Sequence, residues 1–600
     1  MQGAAGQVIL KTAPCRGPER KKDMYYRSDL GNGQFRNPVL FADYSDPDVI
    51  RVGDTYYMTA SSFNYTPGLP ILVSKDLVSW TLAGYALESV KEAAGPSRTG
   101  EESAAIEERY FIPRHSEGVW APAIRYHEGT FYILYGMPDE GIYMVRTQDP
   151  LGAWEEPVCL LEGKGYIDPC PFWDSDGRAY VIHGYAKSRI GFNSILGIFE
   201  MTPDASRALS EDSFIFDGND PAHPAKTIEG PKVYQRNGWY YILAPAGGVR
   251  KGWQCALRSR SIHGPYEIRT VMDQGESLIN GPHQGALVDT EQGDEWFFHF
   301  QDRGLYGRIC HLQPVSWRED WPVIGQDPMG TGCGRPVFTE KKPGGGKAPC
   351  SPLSYLESSD FFPEGRIGLQ WQWLGNAAAA ARAMDLPLFT PLSEGGIRLH
   401  ALNLSGEASP ILWHSANVLT QKLVLPEFVC DIRMRLLGLT EGDRAGIAMT
   451  GGQYALLYVR KDADGASLVY AESEGSDQDK KEKILTETPL PPCMGERDPL
   501  EEMTFRLVFA RRSCCRVTPE GEVFPLKEDI PDLFFAGDEA EKPALSLFWS
   551  PDGEEFYSAG CEYVPSDHTW VGAKIGVFAL SEEEEGGCAD LVSVRTDKIL

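Results

Sequence analysis

The chain has 600 residues, 42% of them hydrophobic and 24% charged, and carries a formal net charge of −28. That length exceeds one ordinary core and points to two large domains behind a short leader. The acidic balance excludes a nucleic-acid partner, which needs a basic face, and the lack of an apolar run of about 18 residues excludes a membrane-spanning helix.

The leader, residues 1–35, holds basic residues but no apolar core of signal-peptide length, so no export signal is read from it. The 13 Cys are scattered, only Cys514 and Cys515 are neighbours, and no CxxC occurs. Zinc and a disulfide framework are both disfavoured, and a reducing, cytoplasmic location is expected.

The stretch "DPDVIRVGDTYYM" (46–58) opens a unit that recurs. Its relatives are "APAIRYHEGTFYI" (121–133), "DPCPFWDSDGRAYV" (168–181), "EGPKVYQRNGWYYI" (229–242) and "HQGALVDTEQGDEWFF" (283–298). Each has Pro or Gly within its first three residues, then an apolar strand, a Gly-bearing turn and an aromatic-rich return strand. The heads Asp46, Ala121, Asp168, Glu229 and His283 lie 75, 47, 61 and 54 residues apart. Four short strands need about 40–50 residues, so each copy reads as one blade of a five-bladed β-propeller over residues 36–337. Helical stretches between the copies are missing, which argues against alternating βαβ units, and an unrelated run of hairpins is the plainer alternative.

Residues 338–354, which include "TEKKPGGGKAPCSPLS" (339–354), have the Pro/Gly/Lys composition of a linker. From 355 to 600 come alternating strands such as "KLVLPEFVCDIRMRLLGL" (422–439) and "TFRLVFARR" (504–512), which suggest a β-sandwich. "NAAAAARAM" (376–384) reads as a short helix or an Ala-rich loop.

Rotation about a propeller axis gathers residues that no helix or hairpin could bring together. Asp46, Asp168 and Glu229 then meet at one mouth of the axis. Like charges raise one another's pKa, and that suits a general acid kept protonated beside an ionised base. Glycoside hydrolysis asks for this pair. The simpler reading is that the two Asp only cap turns before Pro.

These residues give the chain a resemblance to glycoside hydrolase family 43, in its two-domain β-xylosidase/α-L-arabinofuranosidase branch. The matching stretches are "NPVLFADYSDPDVIRVGDTYYMTASSF" (37–63), "GVWAPAIRYHEGTFYILYG" (118–136), "IDPCPFWD" (167–174), "IEGPKVY" (228–234), "HFQDRGLYGRICHLQPVSW" (299–317) and "GLQWQW" (368–373). The resemblance covers roughly residues 36–600 and leaves the leader unmatched. It implies an all-β chain: a five-bladed β-propeller followed by a concanavalin-like β-sandwich. It also implies an inverting exo-hydrolase releasing terminal D-xylose, L-arabinofuranose or both from oligosaccharides.

By the same resemblance Asp46 is the general base, Glu229 the general acid, and Asp168 the carboxylate that tunes and orients the acid. Inversion by single displacement places base and acid about 6.5–9.5 Å apart. Arg308 would hydrogen-bond sugar hydroxyls, with Phe63 and Trp120 as aromatic walls. His283 would touch an axial calcium or sodium ion, directly or through water. Asp360 and Asp590 would help bind a second calcium in the sandwich, although "CADLVSVRTDKIL" departs from the family's usual ending. The ions implied are calcium or, at the axial position, sodium, and no organic cofactor is implied. The partners expected are the oligosaccharide and, at most, further copies of the chain. Two other readings stand beside this one. An endo-arabinanase needs an open groove and commonly lacks a second domain, and a non-catalytic carbohydrate-binding propeller would not need the acids. Sucrose- and fructan-cleaving propellers share the three-acid logic, but their "NDPNG" head and "EC" motif are missing.

Overall fold

The computed structural model describes residues 25–91, 106–346, 355–494, 497–512, 515–518, 521–525 and 542–599. Each repeated stretch forms the first two strands of a four-stranded antiparallel sheet. The five sheets are blade 1 (Asp48–Leu87), blade 2 (Trp120–Glu162), blade 3 (Tyr166–Asp217), blade 4 (Lys232–Met272) and blade 5 (His283–Ile324), with strands bonded in sequence order in every one. First strands of successive blades touch from blade 1 to blade 4, and that of blade 5 touches that of blade 1. Between blades 4 and 5 the first strand of blade 5 meets Trp239–Ala246, and Leu287 N–H donates to the Tyr234 hydroxyl, so all five surround one axis. The hairpin turns fall where the glycines predict. Glu128-Gly129 and Asn237-Gly238 both have two positive φ angles (46 and 86, 52 and 72), the backbone that matches strand twist.

Second strands such as Thr130–Met137 are buried along nearly their whole length because neighbouring blades cover both faces. Their unbroken apolar sequence follows from that. Residues 37–44 close the ring. Val39 N–H donates to Cys310 O (2.8 Å), Cys310 N–H to Leu40 O (3.0 Å), and the Asn37 amide spans Leu312 O and Val337 O.

The second domain is a sandwich of two seven-stranded sheets. The Ala-rich stretch is a helix, Ala377–Ala383, whose alanines pack into the sandwich core. That core continues into the propeller through Phe41, Leu305, Tyr306 and Ile309. Thr66 and Trp373 exchange backbone hydrogen bonds of 3.1 and 2.7 Å across the boundary. No helix among the described residues is long and apolar enough to cross a membrane.

The boundaries differ from the sequence reading in two places. Gln34–Arg36, assigned to the leader and the propeller's edge, pairs with Thr339–Lys341, assigned to the linker. Lys342 is buried and bridges Asp29 (2.6 Å) and Asp76 (2.8 Å), so this part of the linker is tied down by charge that composition alone does not reveal. Residues 1–24 and 347–354 lie outside the described residues.

At the domain boundary the Lys574 ammonium sits 3.6 Å from Asp43 and faces the ring of Tyr65. Burial pushes Lys574 down from 10.5 to about 7, partly relieved by Asp43 and worsened by Lys422. The unfolded chain therefore holds this proton to higher pH than the folded one, so stability from this group rises between about pH 7 and pH 10. Below pH 7 the buried charge is a full penalty. The melting temperature of Lys574→Met should climb less steeply than wild type over that window; parallel curves would refute the assignment.

Candidate active site

Each blade opens on an X-Pro pair whose X residue has left-handed backbone: Asp46 (φ 55), Ala121 (φ 26), Asp168 (φ 56), Gly230 (φ 58) and Gly281 (φ 50). These five are the rotationally equivalent positions. The sequence reading placed Glu229 and His283 in that ring, and the structure corrects it. Glu229 stands one residue before the X position and His283 two residues after. Holding an L-residue in this region costs on the order of 1 kcal/mol, least for Asp and Asn, and glycine avoids the cost. Two of the three non-glycine residues are the hub's aspartates, which places the strain at the chemistry.

Asp46 is buried in a ring of donors. Arg308 Nη1 donates to Oδ1 at 2.8 Å, while the hydroxyls of Ser45 (2.8 Å) and Ser61 (2.7 Å) both donate to Oδ2. Each hydroxyl proton is directed there by a second bond. Ser61 Oγ accepts from Ala121 N–H (2.7 Å) and Ser45 Oγ from Arg308 Nη1 (2.6 Å). Arg308 is itself set by Asp43, whose Oδ1 accepts the Arg308 backbone N–H at 2.9 Å and whose Oδ2 accepts Gly572 N–H of the sandwich at 3.0 Å.

Asp168 is also buried, and its Oδ2 accepts Gly230 N–H at 2.7 Å, so it grips the peptide that carries Glu229. Burial holds its carboxyl well above the usual range, and the negative charges of Glu229 and Asp46 push the same way. Gly230 N–H and Lys232 pull it down. The three acids thus share one electrostatic site. Glu229 Oε1 lies 3.0 Å from His283 Nε2. The Glu229 side chain is 34% exposed against 9% for Asp46, so among these two it is the one a ligand can reach.

The expected aromatic walls are neighbours, since Phe63 bridges Val119 beside Trp120. Trp120 donates through its indole to Ser116 O (2.9 Å) and is covered by Arg189 at 5.2 Å. A sandwich residue missed in the sequence, Trp570, meets Trp120 edge to face at 4.7 Å, and Asp567 beside it lies 3.9 Å from Arg250 of blade 4. The sandwich loop therefore reaches the rim of the hub.

The metal candidates do not converge. His283 spends Nε2 on Glu229. Asp360 accepts Phe362 N–H, Gly368 N–H and the Trp371 indole (2.8, 2.9 and 3.0 Å), and Asp590 is paired with the Arg398 fork at 2.7 and 3.0 Å. Asp360 pairs through its backbone with Val594, four residues along an extended strand from Asp590, about 13 Å away. Calcium wants several free oxygens at one point, and Asp360 and Asp590, the pair expected at the sandwich ion, do not meet at one. Among the described residues no group of three or more His, Cys, Asp or Glu is placed to hold a metal ion.

Known proteins share the family pattern and the fold of this chain. Residues 35–322 match the family model described as Glycosyl hydrolases family 43, and residues 359–537 match the Beta xylosidase C-terminal Concanavalin A-like domain. A putative beta-xylosidase of Xylanibacter ruminicola is 40% identical over 348 residues, 58% of this chain and 60% of the relative. A beta-xylosidase of Formosa agariphila is 29% identical over 600 residues, 94% of this chain and 90% of the relative. The solved structure of a bifunctional GH43-CE protein of Bacteroides eggerthii, 25% identical, superposes with a TM-score of 0.71 over 94% of this chain and 64% of its own. The chain thus spans less than two thirds of the first relative and of that structure.

Proposed function

The chain belongs to glycosyl hydrolases family 43, and from that premise we propose that it removes terminal D-xylose or L-arabinofuranose from short oligosaccharides with inversion. The observation that carries the reading is the inequality of the three acids. Asp46 accepts three hydrogen bonds, one from an arginine, and donates none, which is the state of a carboxylate base. Burial and the nearby charge of Glu229 raise the affinity of Asp168 for a proton, which keeps a proton beside Glu229. Glu229 is where an incoming glycosidic oxygen can collect it.

In the single displacement, a water oxygen attacks the anomeric carbon while its proton passes to Asp46. The glycosidic C–O bond breaks, and the leaving oxygen takes the proton from Glu229. Asp168 holds the Gly230 peptide and through it the acid's position. His283, with its proton on Nε2, donates to Glu229 Oε1 and leaves Oε2 to carry the transferable proton. The Trp570 loop at the rim supports an exo site with a closed end over an endo groove.

The test is hydrolysis of an aryl β-D-xylopyranoside and an aryl α-L-arabinofuranoside side by side, with the released sugar followed by proton NMR. Turnover of at least one, with the first sugar released as the opposite anomer, is expected. Failure on both while a linear arabinan is cut internally would favour the endo reading.

A further inference from the structure

Two residues past each X position, the first strands present a second ring to the axis: Asp48, Ala123, Cys170, Lys232 and His283. Lys232 is fully buried, and its Nζ donates to Pro122 O at 3.0 Å. Lys232 belongs to blade 4 and Pro122 to blade 2, which are not neighbours in a ring of five. The side chain therefore reaches across the axis beneath the acids.

We propose that Lys232 is the resident cation of the active site, supplying on the axis the positive charge that a bound divalent ion would otherwise bring. A buried ammonium facing one neutral carbonyl is poorly compensated, because desolvation is costly and a carbonyl dipole returns little of it. The surrounding negative charge supplies the rest. Asp46 is paired with Arg308, and Asp48 with Arg125 at 2.6 Å. Asp168 and Glu229 have no such ion pair with Lys or Arg among the described residues, and Lys232, two residues past the Gly230 N–H that Asp168 accepts, lowers the affinity of Asp168 for a proton. The groups facing this part of the axis are Asp46, Asp48, Arg125, Asp168, Cys170, Glu229, Tyr234 and His283.

The ring also disfavours the axial metal that the family resemblance implies. A second cation there would meet the Lys232 ammonium and the Arg125 guanidinium, which donates to Cys170 Sγ at 3.1 Å, with few free oxygens to bind it. The ammonium biases Asp168 toward its ionised form, so that the proton of the pair is available to Glu229. Lys232 acts through Asp168 and is a positioning residue.

The inference rests on the hydrolase reading, and the experiment separates the two. If wild type cleaves neither aryl glycoside, that reading fails. Given an active wild type, exhaustive chelation should leave kcat and the melting temperature unchanged, and calorimetric titration with calcium chloride should show no binding. Lys232→Met keeps the length and apolar bulk of the stem but not the charge. It should lower kcat by roughly tenfold or more, leave KM within about twofold, and move the acidic limb of the kcat profile up by roughly one pH unit, because Asp168 then takes a proton more readily. Lys232→Gln, which can still donate to Pro122 O, should behave alike; a packing role would spare it. Loss of wild-type activity on chelation with recovery in calcium, or a folded Lys232→Met with the wild-type pH profile, would overturn the proposal. If neither variant folds, the chelation and calorimetry on wild type decide.

Discussion

Glu229→Ala and Asp46→Asn are each expected to lower kcat by roughly a hundred- to ten-thousand-fold, the range that a positioned acid or base contributes. The two should differ in stability. Glu229 is the more open of the two, and truncating it removes a negative charge that crowds Asp168. Its melting temperature should stay at or above wild type. Asp46 lies in left-handed backbone at φ 55 and balances Arg308. Asn tolerates that backbone and fills the same volume, but it leaves a buried guanidinium without its anion, so a lower melting temperature is expected. Alanine at 46 would add backbone strain and is the poorer probe. Near-normal turnover in either variant would show that the residue changed is not the acid or base assigned to it.

Arg308→Ala is expected to have the second largest effect, and on two observables. It removes the cation from Asp46 and strands a buried carboxylate, a change that costs about 3–5 kcal/mol when one partner of a buried pair is lost. It also frees the hydroxyl of Ser45, whose proton is directed at Asp46 only while Arg308 Nη1 occupies its lone pair. The kcat/KM should fall by roughly a thousandfold, comparable to deleting a preorganised charged group in an active site. Arg308→Lys should recover little of it. A point ammonium cannot keep both Nη1 contacts and the guanidinium stacking over Phe300 at 4.5 Å. An Arg308→Lys variant with wild-type kinetics would show that charge alone suffices.

Much of this was legible in the sequence because the propeller repeats. Asp46-Pro47 and Asp168-Pro169 announce two blade heads, and the Gly-bearing turns fix the hairpins that follow. The offset of Glu229 and His283 is hidden in the sequence because Pro or Gly within three residues of a strand does not fix which residue faces the hub. The true marker, a left-handed residue before proline, is carried in blades 4 and 5 by Gly230 and Gly281. Ser45 is adjacent to Asp46 and Lys232 lies three residues after Glu229, yet Ser61 comes from the end of the return strand, and no local pattern shows that the Lys232 side chain crosses the axis to Pro122. Trp570 and Asp567 are brought to the rim only by domain packing, which no spacing encodes. Asp360 and Asp590 have other partners for a common reason. An acid in a sandwich is as readily satisfied by a turn's N–H groups or an arginine fork as by an ion, and sequence does not separate these outcomes.

The assignment of opposite roles to Asp46 and Glu229 is tested most directly by changing the leaving group. Rates of both variants would be compared on an unactivated aryl glycoside and on its dinitrophenyl counterpart, which departs without needing a proton. The account predicts that Glu229→Ala regains most of its lost rate on the activated substrate, whereas Asp46→Asn stays slow on both. Equal recovery of the two variants, or recovery by Asp46→Asn alone, would contradict it.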